Sequence, residues 1–231
     1  MNIKPVVVLI YLLSSLSAFS QISQSEFPSS QESFDREWVF GINGGMTFSK
    51  ISFNPGIKQD MLMQYTGGLT VRYISEKNIG LQLELNYSLR GWKERTDPAD
   101  SVRYANYSRS LGYLELPFMT HVYFNMGKYM RVFFLAGPQV GFYLNEKVIN
   151  SELALASSEL PAYYNTKVQR SFDYGIVGGM GLEFRSGIGS FVVDGRYFYG
   201  LSDIFNNRKV DYFQSSSNQI LAVKAAYLFR M

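Results

Sequence analysis

Between Ile79 and Arg90 every second residue is apolar: Leu81, Leu83, Leu85, Tyr87 and Leu89 alternate with Gln82, Glu84, Asn86, Ser88 and Arg90. Side chains on a strand point to opposite faces with period two, so this stretch reads as a β-strand with one greasy and one polar side. The same period returns along the chain. It predicts eight strands: Trp38 to Phe48, Leu62 to Ile74, Ile79 to Arg90, Ser110 to Phe124, Tyr129 to Leu144, Val168 to Arg185, Phe191 to Leu201 and Asn218 to Phe229. Each is at least as long as the roughly 9 to 11 residues a tilted strand needs to cross a bilayer's hydrocarbon layer. Only Ser151 to Ser158 offers a short turn of helix instead.

The connections are as informative as the strands. Ser75 to Asn78, Asn125 to Lys128 and Ser186 to Ser190 are tight turns built from Ser, Asn, Gly and Lys. Ser49 to Met61, Gly91 to Arg109, Asn145 to Lys167 and Ser202 to Ser217 are long, and long alternates with short throughout. A barrel that spans an outer membrane has this rhythm, with short periplasmic turns on one rim and long loops on the other. A soluble sandwich has no reason for it.

The two faces separate the medium. One gathers Tyr65, Leu69, Val71 and Tyr73, then Leu114, Leu116, Phe118, Val122 and Phe124, and continues so to Leu221, Val223, Tyr227 and Phe229. The other takes Arg72, Glu84, Arg90, Glu115, His121, Arg131, Asp173, Glu183, Arg185, Asp194, Arg196 and Lys224. So many ionisable groups cannot form an apolar core. An Arg or Lys facing lipid costs about 2 to 4 kcal/mol at the midplane, so confinement of charge to one face places lipid against the other. The expected fold is all-β: an eight-stranded antiparallel up-and-down transmembrane β-barrel. Trp38, Tyr73, Trp92, Phe124, Tyr129, Phe184 and Tyr199, near strand ends, fit aromatic girdles at the membrane interfaces.

Composition sharpens the picture in three places. Aromatic residues make up 16% of the chain and glycines number 20, while a hydrophobic content of 46% is ordinary. Apart from the N-terminus there is no long apolar run, as expected if half of every strand is polar. A net charge of +3 with scattered signs gives no nucleic-acid footprint, and the absence of cysteine excludes a lipid-anchored thiol and a disulfide scaffold. Met1 to Gln21, with Lys4, the apolar run Val6 to Leu13 and small residues around Ala18-Phe19-Ser20, has the layout of a secretory signal peptide cleaved after Ser20. Residues 21–37 read as a flexible periplasmic lead-in, and 38–231 as the barrel domain in the cell outer membrane.

Candidate chemistry is sparse. His121 is the single histidine. Its strand descends toward the turn at Asn125, so it faces inward near the periplasmic end, where a hydrogen-bonded interior histidine is the expectation. Glu84 and Glu115, inward on neighbouring strands, have the residue types for acid–base work. Their setting favours a different role, because Arg72, Arg131, Arg196 and Lys224 share the same wall with Asp173, Glu183 and Asp194. These nine residues are expected to interlock as a structural charge network, since buried charge survives only when paired. Eight strands leave a lumen just wide enough for side chains to fill, so no diffusion pore is expected. Gly175, Gly178, Gly179 and Gly181 lack the Lys-Ser/Thr and the helix of a phosphate loop and read as positions of curvature or close packing. No catalytic residue, cofactor or metal is expected; the expected partners are outer-membrane lipid and a secretion or surface protein.

Five segments together resemble the PorT-like outer-membrane β-barrel family of Bacteroidota. They are Gly80-Leu-Gln-Leu-Glu-Leu-Asn-Tyr-Ser88, Tyr113-Leu-Glu-Leu-Pro-Phe118, Phe134-Leu-Ala-Gly-Pro-Gln-Val-Gly141, Asp173-Tyr-Gly-Ile-Val-Gly-Gly-Met-Gly181 and Asp194-Gly-Arg-Tyr-Phe-Tyr-Gly-Leu201. The resemblance implies a small non-enzymatic porin-family barrel of the cell envelope, with a namesake implicated in type IX secretion and most members without an assigned task.

Overall fold

A computed structural model describes residues 36–95, 107–150, 166–206 and 213–230. The expected signal peptide, most of the lead-in and the helical turn at Ser151 to Ser158 lie outside these residues. The described chain is all strand, turn and loop: β1 (Glu37–Asn54), a two-residue β2 (Gln59–Asp60), β3 (Leu62–Glu76), β4 (Ile79–Glu94), β5 (Ser108–Met126), β6 (Met130–Asn150), β7 (Phe172–Arg185), β8 (Ser190–Asp203) and β9 (Ser215–Arg230). The eight long strands pair antiparallel with their neighbours, and β1 joins β9 from Val39↔Arg230 to Asn54↔Ser215, which closes the sheet on itself. Closure leaves no long edge to aggregate.

Burial runs inside out. Leu83, Leu85, Phe118, Phe134, Ile176 and Val223 are exposed on the outer wall, while Glu84, Arg131, Glu183 and Lys224 are buried. In a water-facing sheet this arrangement would be unstable; surrounded by lipid, it is the low-energy one. The tight turns fit their geometry. Asn78 in the β3–β4 turn has φ 77° and Gly127 in the β5–β6 turn has φ 81°, the left-handed conformation that asparagine and glycine tolerate. Inside the wall, a Cβ at Gly179 or Gly181 would collide with the backbone of β8, so both glycines let adjacent strands curve closely.

Most strands run further outward than the sequence pattern predicts: β1 continues to Asn54, β4 to Glu94 and β6 extends over 21 residues, whereas β7 is shorter at its outer end and begins only at Phe172. At about 3.3 Å per residue, and tilted by about 40°, β6 rises about 50 Å, roughly twice the height of an apolar belt. The reason for the missed ends is a change of phase. Within the belt of β1, Phe48 points out and Thr47 in; above it Lys50, Ser52 and Asn54 are exposed and Ile51 and Phe53 are buried. On β4 the same reversal buries Trp92 and exposes Lys93. Trp92 is 0% exposed, so it is not part of an interfacial girdle. It packs instead with Phe53, Tyr107, Leu111, Phe205 and Phe213 in an apolar cluster inside the outer end of the barrel. Trp38, Phe124, Tyr129, Phe184 and Tyr199 do lie exposed on the outer wall.

The inside-out wall makes a direct forecast. Leu83→Arg, in the middle of the belt, should lower stability in lipid vesicles by about 2 to 4 kcal/mol, whereas Ser52→Arg above it should change stability by less than about 0.5 kcal/mol. Urea midpoints of vesicle-embedded protein measure both; equal small effects would place the wall in water.

Candidate functional site

Among the described residues, chemistry-bearing side chains converge in the lumen. It is layered along the barrel axis. An apolar cluster at the periplasmic end, including Val39, Ile74, Tyr123, Phe133, Val192 and Leu228, and the aromatic cluster around Trp92 at the outer end bracket a polar middle. In that middle, Arg72, Arg90, Arg131, Arg196 and Lys224 face Glu84, Glu115, Asp173, Glu183 and Asp194, five cations against five carboxylates.

Glu84 is the hub. Its Oε2 accepts from Arg196 Nη1 at 2.9 Å, Lys224 Nζ at 2.7 Å and Asn86 at 3.0 Å, while Oε1 accepts from Gln82 at 2.6 Å. Arg196 is held at the same time by both carboxylate oxygens of Asp194, at 2.5 and 2.9 Å. Toward the periplasm, Arg72 bonds Glu183 at 2.7 Å and Gln82 at 2.8 Å. Arg131 lies 4.0 Å from Glu183, with its Nε donating to Asn125 at 2.8 Å and its guanidinium 4.2 Å from the Tyr123 ring. Toward the outside, Arg90 meets Asp173 at 2.5 Å and Glu115 at 3.1 Å, over the Tyr113 ring at 3.7 Å. Asp173 also accepts from Ser202 and, at 3.0 Å, from Asn218. Uncompensated burial of any one ion would cost several kcal/mol. The fold therefore needs all of these partners together.

All nine residues singled out from the sequence are thus buried in the lumen and in contact with an opposite charge. The reading missed Arg90 as a member, although it placed it on the polar face. Its signal was there: Arg90 follows Glu84, Asn86 and Ser88 in the same inward register. Glu84 and Glu115 do not act as a pair, since each is engaged by its own cations. His121 departs from the expected hydrogen-bonded role. It is 0% exposed, lies 5.0 Å from the Phe133 ring and 5.5 Å from Tyr123, and neither ring nitrogen has a hydrogen-bond partner among the described residues. The aromatic neighbours supplied by β5 and β6 fill the space that polar partners would need.

Above the belt, Arg109 bonds Glu146 at 2.6 Å and the Thr166 carbonyl at 2.7 Å, and stands 5.6 Å from the Trp92 ring. Tyr107 beside it is pushed above its usual pKa by burial. No group of His, Cys, Asp or Glu among the described residues has the arrangement to hold a metal ion. A cavity of about 30 Å³ in the polar middle is bordered by Glu115, Pro117, Lys224 and Phe198. That is room for about two waters.

A family model described as an outer membrane protein beta-barrel domain matches residues 19–206. No curated protein matches the chain in sequence. Among solved structures, OprG of Pseudomonas aeruginosa is similar at 14% identity, covering 83% of this chain and 95% of its own, with a TM-score of 0.49. Ail, the attachment invasion locus protein of Yersinia pestis, solved with the heparin analogue sucrose octasulfate, is similar at 15% identity, with 84% and 99% covered and a TM-score of 0.40. The outer membrane enzyme PagL is similar at 13% identity, with 83% and 98% covered and a TM-score of 0.43.

The charge hub sets a measurable dependence. Glu84→Gln leaves Arg196 and Lys224 facing each other without their shared carboxylate and should cost about 3 to 5 kcal/mol. Adding Lys224→Met to that variant should recover part of the loss. Urea unfolding in vesicles reads both, and a single-variant cost below about 1 kcal/mol would mean that water, not Glu84, neutralises these cations.

Proposed function

From the premise that the chain belongs to the outer membrane protein beta-barrel domain family, we propose that it is a closed, non-enzymatic outer-membrane barrel that acts through its surface. The sites of action are the long outer loops at Gly91 to Arg109 and Asn145 to Lys167, or the periplasmic rim, and the partner is a protein of the secretion or surface-assembly machinery, a reading suggested by the five segments that resemble the PorT-like family, whose namesake is implicated in type IX secretion. The observation that carries this reading is the filled lumen. A neutral ion network capped by two apolar clusters offers no conduit, so a specific role falls to the parts that project beyond the lipid. The nine interior residues Arg72, Glu84, Glu115, Arg131, Asp173, Glu183, Asp194, Arg196 and Lys224 have a structural task in this reading: they hold the scaffold rigid beneath the loops. The N-terminal segment up to about Ser20 serves as the export signal.

An enzyme acting on envelope lipid is the second reading, because an outer membrane enzyme is among the similar structures. It would need His121 beside a Ser, Asp or Glu at a lipid-accessible rim, and the buried, aromatic surroundings of His121 argue against it. A purely structural barrel without a specific partner is the remaining alternative.

Crosslinking in intact cells separates these readings. The full chain is expected to capture a defined envelope protein, and trimming residues 97–105 or 152–164 to a short linker is expected to abolish capture while the barrel still folds. Capture of nothing by either form supports the structural barrel. His121→Ala is expected to leave lipid composition and envelope phenotype unchanged; a changed lipid profile favours the enzyme. Vesicles loaded with a small sugar and bearing the barrel are expected to stay sealed, and leakage would overturn the closed-lumen premise.

A further inference from the structure

Above the apolar belt, the exposed charge on the outside of the wall is nearly all of one sign. On β1 the first exposed charge beyond Phe48 is Lys50, on β4 beyond Leu89 it is Lys93, and on β6 beyond Leu144 it is Lys147; beside the outer end of β7, beyond Phe172, it is Arg170. Lys58, Arg95 and Lys167 are exposed in the same zone. Carboxylates at this end are mostly engaged within the wall. Glu94 accepts from the Trp92 ring nitrogen at 3.3 Å, Glu146 from Arg109 at 2.6 Å, and Asp203 from the Ser216 backbone N–H at 2.6 Å. Among the described residues, Asp60, opposite Lys93, is the one exposed carboxylate there.

The height of these cations says what they meet. A strand that rises about 3.3 Å per residue and is tilted by about 40° climbs about 2.5 Å per residue. Lys50 and Arg170 thus stand about 5 Å beyond Phe48 and Phe172, Lys147 about 8 Å beyond Leu144, and Lys93 about 10 Å beyond Leu89. The headgroup layer on each face of a bilayer is about 5 to 7 Å deep, and lysine and arginine stems bend to keep their charge at the level that suits it. We propose that this cationic collar binds phosphate-bearing, net anionic lipid headgroups of the outer leaflet. The inference rests on the reading of the outer wall as lipid-facing, with the long connections outside. Position selects the guest: a cation on the flank of the wall, directly above side chains that touch acyl chains, is within reach of the same lipid's headgroup. Lysine and arginine are the residue types that hold phosphate by charge-assisted hydrogen bonds. The site is a sector and not a full ring, because β8 and β9 carry no exposed cation in this zone among the described residues.

Native mass spectrometry of the full chain, released from mixed micelles holding equimolar phosphatidylglycerol and phosphatidylcholine of the same acyl chains, tests the collar. Wild type is expected to retain phosphatidylglycerol several-fold over phosphatidylcholine, and the preference is expected to shrink when salt in the micelles is raised, as screened charge requires. A Lys50→Gln/Lys93→Gln/Lys147→Gln/Arg170→Gln variant, whose changes are all exposed and whose folding is checked by heat-modifiable gel migration, is expected to retain the two lipids about equally. Lys77→Gln/Lys128→Gln, at the exposed short turns of the other rim, is expected to keep the wild-type preference. Equal retention by wild type, a preference that survives the four substitutions, or one lost with Lys77 and Lys128 instead overturns the collar. Equal lipid retention together with binding of a soluble sulfated oligosaccharide through the same four residues also overturns it, in favour of a soluble polyanion. Retention of neither lipid by wild type would instead overturn the lipid-facing reading.

Discussion

A carboxylate shared by two cations from the far side of the barrel is the contact on which the interior depends. Glu84 on β4 is met by Arg196 of β8 and Lys224 of β9, residues 112 and 140 positions away in sequence. Arg72 reaches Glu183 across 111 positions and Arg90 reaches Asp173 across 83. Each of these pairs joins the N-terminal strands β3 and β4 to the C-terminal strands β7, β8 and β9. Apart from Asp194 and Arg196 on β8, the charges of this network find their partners on distant strands. The constraint comes from the medium: with lipid outside, polar residues have only the lumen to occupy, and a lumen this narrow has too little water to solvate unpaired ions. Neutrality of the inside follows.

The apolar clusters at the two ends complete this logic. Phe133, Tyr123 and Leu228 below and Trp92, Phe53 and Phe213 above keep bulk water from the ion network, so each pair acts in a low-dielectric setting where its geometry counts for more. The outer cluster has a further effect. Because β1 and β4 turn their apolar residues inward above the belt, the projecting part of the barrel is built like a small water-facing sheet with its own core. A rigid collar then carries the loops on which the proposed partner binding depends.

What the sequence determined was the part of the fold governed by one-dimensional repetition. Alternation from Leu81 to Leu89, the rhythm of short and long connections, and confinement of charge to one face of each strand dictate eight antiparallel strands, a closed wall and lipid on the apolar side, because strand geometry ties side-chain direction to residue parity. The same parity brought nine luminal charges into view. Apart from Asp194 with Arg196, neighbours on one strand face, only the tertiary structure decided who pairs with whom, since the other partners lie on distant strands and no spacing along the chain encodes a distance through the lumen. It also decided the strand ends, because the alternation changes phase at Ile51 and Trp92, where the outer medium passes from lipid to water. Trp92 reads as a girdle residue by position and is a core residue by surroundings. His121, inward by parity, meets Tyr123 and Phe133 rather than polar groups, a matter of packing that periodicity does not reach.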